Sequence, residues 1–127
     1  MKFEDRLDGN VVTFTMSGKI MGGDESTRFH GRVREYINLN KKNIVIDLTK
    51  VERINSVGLG MLISALTTVK SAGGRLAMAN ITSIESILSL TRLITVFETY
   101  DSLETALESF ESGSRRSRPQ SFPQEGS

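Results

Sequence analysis

Residues 44–74 read IVIDLTKVERINSVGLGMLISALTTVKSAGG, and this stretch decides the fold. Ile44 to Leu48 is an aliphatic run bounded by charged and turn-forming residues, the pattern of a strand buried on both faces. A short polar connection is expected next, then Asn55-Ser56-Val57-Gly58-Leu59-Gly60. Leu59, Leu62, Ile63, Leu66 and Val69 recur at spacings of three and four, which predicts a helix with one apolar face. Gly73-Gly74 stops it. The order is strand, loop, helix, with a small hydroxyl residue where the helix begins.

Toward the N-terminus, Lys2 to Leu7 and Val11 to Met16 read as two strands around an Asp8-Gly9-Asn10 hairpin turn. Val12, Phe14 and Met16 alternate with Val11, Thr13 and Thr15, so the second strand has two distinct faces. Ser17 to Gly23 reads as a glycine-rich connection. Asp24 is placed to cap a helix whose stripe is Phe29, Val33, Tyr36 and Ile37 and which ends near Asn38-Leu39-Asn40.

Beyond Gly74, Leu76 to Ala79 is a strand. Thr82-Ser83-Ile84-Glu85 has the spacing of a capping box before a short helix with Ile84, Ile87 and Leu88 on one side. Thr95 to Glu98 is the expected last strand. Asp101-Ser102-Leu103-Glu104 repeats the cap spacing ahead of a helix bearing Leu103, Ala106, Leu107 and Phe110. Strands alternating with helices require crossover connections. The expected class is therefore α/β: a mixed sheet, opening with an antiparallel hairpin and continuing mainly parallel, with about four α-helices in the order ββαβαβαβα. Residues 1–111 form the expected domain. Residues 112–127, rich in Ser, Arg, Pro and Gln, are expected to be a disordered, solubilising tail, because they have little apolar surface to offset ordering entropy.

Composition narrows the function. Sixteen basic residues face fifteen acidic ones. Residues 113–127 hold three arginines and one glutamate, a net of +2, which leaves −1 on the rest. A near-neutral body without tryptophan is a poor nucleic-acid surface, and no such partner is expected. With no cysteine and a single histidine, neither thiol chemistry nor a metal cluster is expected. No apolar stretch approaches the roughly 20 residues of a membrane span, and the N-terminus lacks a signal-peptide core. A cytoplasmic location is the expectation.

Catalysis is disfavoured as well. Gly58-Leu59-Gly60 lacks the remaining residues of a phosphate-binding loop and suits close helix packing. Ile54 stands where a nucleophile elbow requires glycine, and His30, the sole candidate base, reads as a surface residue. No catalytic residue and no cofactor is expected. Ser56 remains, with two readings. Either Asn55 or Ser56 can cap the helix. Alternatively, the same helix N-terminus, with its partial positive charge and free N–H groups, suits a phosphate carried by Ser56.

Asn55-Ser56-Val57-Gly58-Leu59-Gly60 resembles the Asp-Ser-Ser/Thr-Gly-Leu-Gly signature of anti-sigma factor antagonists, the STAS domain family. Ser17-Gly18-Lys19-Ile20, Ile44 to Leu48 and Ala72-Gly73-Gly74-Arg75-Leu76 resemble other family segments, so the likeness covers nearly the whole ordered body. The resemblance implies partner switching in transcription regulation. The unphosphorylated antagonist binds an anti-sigma factor, a histidine-kinase-like ATPase, and the sigma factor is freed. That kinase phosphorylates the position matching Ser56 and the antagonist lets go; a metal-dependent serine phosphatase reverses it. The implied partner-binding residues are Asn55, Ser56, Val57, Gly58 and Leu59, with Lys19 and Met21. Four positions depart from the family pattern. Asn55 replaces an acid, Val57 a hydroxyl residue, Lys19 a glutamate and Met21 an aspartate. A second reading therefore stays open: a non-phosphorylated STAS scaffold of a transport or signalling assembly.

Overall fold

The computed structural model describes the backbone of residues 1–116 and the side chains of residues 1–111. The tail expected from residue 112 is helical at its start, since the last helix runs on to Arg116; residues 117–127 lie outside the described residues. Five strands form one sheet in the spatial order of the sequence: β1 Lys2–Asp8, β2 Val11–Ile20, β3 Asn43–Ile54, β4 Arg75–Ala79 and β5 Glu98–Tyr100. β1 and β2 are antiparallel around a Gly9-Asn10 turn, with Gly9 at φ 63°; the remaining pairs are parallel. Four helices, α1 Asp24–Asn38, α2 Ser56–Ser71, α3 Glu85–Leu90 and α4 Leu103–Arg116, supply the crossovers and the final layer. The mixed sheet with its initial hairpin is as expected.

The helices divide between the two faces of the sheet. On one face α1, α2 and α3 close a large core around Val12, Phe14, Met16, Ile44, Ile46, Leu48, Leu76 and Met78. On the other, Ala106 and Phe110 of α4 cover Val45, Ala77 and Ala79. Successive side chains of a strand point to opposite faces, which is why Ile44 to Leu48 is apolar without alternation. Asp47 interrupts the run and is only 8% exposed. Its Oδ1 accepts from the Thr49 N–H, the Thr49 hydroxyl and the Asn80 side-chain amide, so its burial is matched by hydrogen bonds.

The structure corrects several sequence expectations. β2 and β3 do not stop at Met16 and Leu48. They stay paired through Lys19↔Arg53 and Ile20↔Ile54, across two register shifts. The polar residues Thr49, Lys50, Glu52 and Arg53 thus lie in a strand, because a neighbouring strand supplies their backbone partners and Val51 still reaches the core. β5 begins at Glu98 rather than Thr95; Leu93–Thr95 is a 3₁₀ turn after Arg92 at φ 63°. Asp24 is the first residue of α1, with Gly23 as its cap position and no side-chain cap. The Thr82 capping box does not form, since Ile81–Ile84 winds as a 3₁₀ turn and α3 starts at Glu85. At α4 the cap is Ser102, whose hydroxyl accepts the Thr105 N–H at 3.1 Å.

A buried-edge network fastens β5 and α4. The Arg75 guanidinium donates to both oxygens of Glu98, to the Tyr100 hydroxyl and to the Ser109 hydroxyl. It also lies over the Phe110 ring, 4.1 Å from the centroid. Burial pushes the Glu98 carboxyl up, but hydrogen bonds from Arg75 and Tyr100 outweigh it and hold the group below its ordinary value of 4.5. Because the folded-state value is depressed, its stabilisation is present above pH 4.5 and is lost as pH falls through the folded value. Glu98→Gln is expected to lower stability near pH 7 by about 1 kcal/mol, the scale of a half-exposed hydrogen-bonded ion pair. Urea titrations at descending pH check it: below pH 4.5 the gap between wild type and variant should narrow.

Candidate functional site

The site grows from the end of β3. Ile54 pairs with Ile20 at the C-terminal edge of the sheet, and the chain turns there into α2. Asn55 has extended backbone, φ −110° and ψ −177°, and fixes the turn through three bonds. Its N–H donates to the Ile20 carbonyl at 3.2 Å, and its own carbonyl accepts from Leu59 at 2.9 Å. Its side-chain Oδ1 accepts the Gly58 N–H at 2.8 Å. The cap left open by the sequence is therefore Asn55. Ser56, the first helical residue, is exposed and has no capping task.

Two glycines set how closely this turn approaches the sheet. A Cβ on Gly58 would lie 2.1 Å from the Ile20 carbonyl oxygen, so only glycine lets α2 start against β2. Gly22, at φ 93°, brings the loop after β2 onto Val57: a Cβ there would stand 2.5 Å from Val57 Cγ1. Close packing thus accounts for Gly58 but not for Gly60, where a Cβ would meet nothing within 4 Å.

Gly58 is buried and Leu59 is 5% exposed, so both act as anchors beneath the surface. Val57, next to Ser56 in α2, is 61% exposed, and Met21, which precedes the Gly22 that packs on Val57, is 37% exposed. Lys19 is exposed and faces Arg53, also exposed, across the β2–β3 register. Arg53 is a member of the corner that the sequence reading missed. Residues 49–54 have the polar composition of a connection, and the pairing of Arg53 with Lys19 exists only in the folded sheet.

The electrostatics of the corner differ from those at the other helix starts. α1, α3 and α4 each carry an acid in the first turn, Asp24 and Glu25, Glu85, and Glu104; α2 carries none. Of the N–H groups at the start of α2, those of Asn55 and Gly58 are engaged by Ile20 and the Asn55 cap. Those of Ser56 and Val57 lie in the first turn, where no intrahelical acceptor exists. The positive end of the helix dipole is therefore not offset by a carboxylate of its own turn, and it carries a hydroxyl.

His30 is not a plain surface residue. It projects from α1 toward α2, its Nε2 3.5 Å from the Thr68 hydroxyl. Burial, and then the Arg34 charge, push its pKa below 6.5. Thr68 is twelve residues along α2 from Ser56, about 18 Å of helix axis, so His30 is not placed to act as a base on that hydroxyl. No cluster of three or more metal-binding side chains occurs among the described residues, and no helix among them is long and apolar enough to cross a membrane.

A five-stranded mixed sheet of this order, with an exposed serine at the corner between its central strand and α2, defines a small α/β domain class. The STAS domain model matches residues 2–106, and the chain belongs to the STAS domain family. A Thermotoga neapolitana protein, named as an anti-sigma factor antagonist homologue, is 35% identical over 75 residues. The match covers 58% of this chain and 66% of that relative, just under two thirds of its length. The crystal structure of a Thermotoga maritima protein assigned as an anti-sigma factor antagonist superposes with a TM-score of 0.76 at 27% identity, covering 86% of this chain and 94% of that one. The anti-sigma factor antagonist SpoIIAA of Bacillus, in its unphosphorylated form, shares the fold: TM-score 0.69 at 12% identity, covering 88% of this chain and 99% of that one.

Three substitutions test the construction of the corner. Asn55→Ala is expected to cost about 1 kcal/mol, the usual loss on removing a helix cap, whereas Asn55→Asp retains the acceptor. Gly58→Ala is expected to cost more, about 3 kcal/mol, since the new methyl meets strand backbone rather than a movable side chain. Denaturant midpoints should fall from Asn55→Asp through Asn55→Ala to Gly58→Ala.

Proposed function

We propose that this protein is an anti-sigma factor antagonist: unphosphorylated, it binds an anti-sigma factor kinase and frees the sigma factor, and phosphorylation of Ser56 switches it off. The observation that carries the reading is the exposed Ser56 hydroxyl at the first position of α2, with its cap supplied by a neutral neighbour. The names of the Thermotoga relatives support the general role. SpoIIAA, of the same fold, has been solved in a phosphorylated form.

The geometry suits both halves of the switch. In the transfer, the Ser56 oxygen forms a bond to the γ-phosphorus of ATP and the bond to the β-phosphate oxygen breaks. ADP leaves, and the hydroxyl proton passes to a base of the kinase, a histidine-kinase-like ATPase that uses MgATP. The new phosphate, nearly two negative charges, sits on a helix start with no acid in its turn, so this domain does not have to unfold to hold it. Asn55 keeps the cap oxygen that an aspartate would provide while removing a charge that would repel the phosphate. What changes is the surface: a doubly charged group beside Val57 and Met21 opposes their desolvation against a partner. A metal-dependent serine phosphatase resets the state with water. Catalysis belongs to these partners, not to this chain, which works in the cytoplasm as substrate and ligand, without nucleic acid. Residues 1–111 suffice for this role in the proposal, and the residues beyond α4 serve solubility.

A second reading rests on one observation, the 61% exposure of Val57 next to the serine. An apolar residue there fits a constitutive, non-phosphorylated STAS module that is held permanently in a transport or signalling assembly.

Intact-mass measurement after incubation with the kinase and MgATP separates the two. One added phosphate is expected, absent in Ser56→Ala. Ser56→Ala is expected to bind the kinase without release, and Ser56→Asp to bind at least about tenfold more weakly, a loss of about 1.4 kcal/mol. An unmodified serine, with binding indifferent to ATP, would establish the scaffold instead.

A further inference from the structure

α1 and α2 lie side by side on the sheet, and between their outer sides runs a groove that begins at the Ser56 corner. Its upper part, about 570 Å³, has Val57, Met61 and Ser64 on one wall and Thr27, Gly31 and Arg34 on the other. Arg34 also lines a lower part of about 470 Å³, which continues past Thr68 to Ala72. The two helices have 15 and 16 residues, so the groove follows about 23 Å of helix, the length of another four-turn helix.

Charge and shape of this groove are one-sided. Neither part has a carboxylate in its lining; the ionisable groups there are His30 and Arg34. α2 contains no acid along its whole length. The acids at the start of α1 lie outside the lining, and Glu25 is engaged by Arg28. Arg32, one turn from Arg28, is held by Asp5 and Glu35, whereas Arg34 has no ion pair among the described residues. Gly31 and Gly60 stand in the middle and first half of their helices, and a Cβ added at either would meet nothing within 4 Å. Glycine weakens a helix, and no contact inside this domain requires it at either place. At Gly31, which lines the groove, the effect is to keep the rim low, which admits the backbone of an incoming segment. The Ser26 hydroxyl, buried in the α1 wall, has no hydrogen-bond partner among the described residues.

We propose that this groove receives a helix of the anti-sigma factor kinase, laid along α1 and α2 with small and apolar residues against Gly31 and Val57 and a carboxylate opposite Arg34 and His30. The inference rests on the function proposed above and extends it. The phosphorylation corner is one end of the interface, and the acid-free groove is the part that selects a partner by charge. A phosphate on Ser56 then stands at the mouth of the groove, on the side where the partner's acidic helix enters, and like charges oppose docking.

The test uses the full chain and the kinase, with affinity measured by calorimetry at low and high salt. Arg34→Glu is expected to weaken binding at least tenfold at low salt and to remove most of the salt dependence. Gly31→Gln, where an added Cβ meets nothing within 4 Å, is expected to keep the wild-type circular dichroism spectrum and to weaken binding at least tenfold by filling the rim. Glu104→Gln, on α4 at the opposite face, is expected to leave affinity unchanged. If Arg34→Glu and Gly31→Gln both bind within twofold of wild type while Ser56→Asp still fails to bind, the groove proposal is overturned and the switch stands. If Ser56→Asp binds as wild type does while the groove variants fail, the switch falls and the docking groove stands. Absence of any complex with the wild-type chain overturns both.

Discussion

The seat of α2 on the edge of the sheet is the constraint from which the rest follows. Gly58 approaches the Ile20 carbonyl so closely that no side chain fits between them. Asn55 bonds in the same place to β2 through its N–H and to α2 through its side chain and carbonyl. Because the turn is fixed to backbone, the position of Ser56 does not depend on a flexible loop. In the function proposed for this chain such fixity matters, since a kinase and a phosphatase would have to meet the same serine geometry.

That seat also explains why β2 and β3 run longer than their hydrophobic segments. For Ile20 to lie beneath Gly58, the two strands must continue past the last β3–β4 pair, Asp47↔Ala79. The extension carries polar residues that a strand reading from sequence rejects. Leu48 and Val51 keep it attached to the core, while Lys19 and Arg53 emerge at the surface beside the corner. On the other side of the sheet, Asp47 and Arg75 are polar groups in apolar surroundings, and each is met by several partners, so the α4 layer is fixed without a large core of its own.

The departures of this chain from its family signature are coherent in structural terms. Asn55 keeps the capping oxygen of an aspartate, since the cap needs an acceptor and not a charge. Val57 leans on Gly22, next to the exposed Met21, so the loop after β2 and the first turn of α2 meet through an apolar side chain. Lys19 faces Arg53, which makes the sheet edge basic. Together these shift the corner from acidic and polar toward basic and apolar. In the function proposed for this chain, such a shift changes which partner surface fits without changing where the serine is held.

Sequence alone determined the layered α/β plan. The stripes of α1, α2 and α4 and the continuous apolar run of β3 are local patterns that encode which face is buried, and burial of those faces leaves few arrangements. It also isolated Ser56, by leaving no cysteine, metal set or second histidine to compete. Tertiary structure alone decided where strands end, which residue caps α2, and what surrounds the serine. Those outcomes depend on partners distant in sequence. The polar end of β3 is a strand because β2 lies beside it, and Asn55 is the cap because Ile20 holds its backbone extended. His30 belongs to a groove because α2 passes beside it. Periodicity reports what one segment buries; it carries no record of which other segment supplies the hydrogen bond.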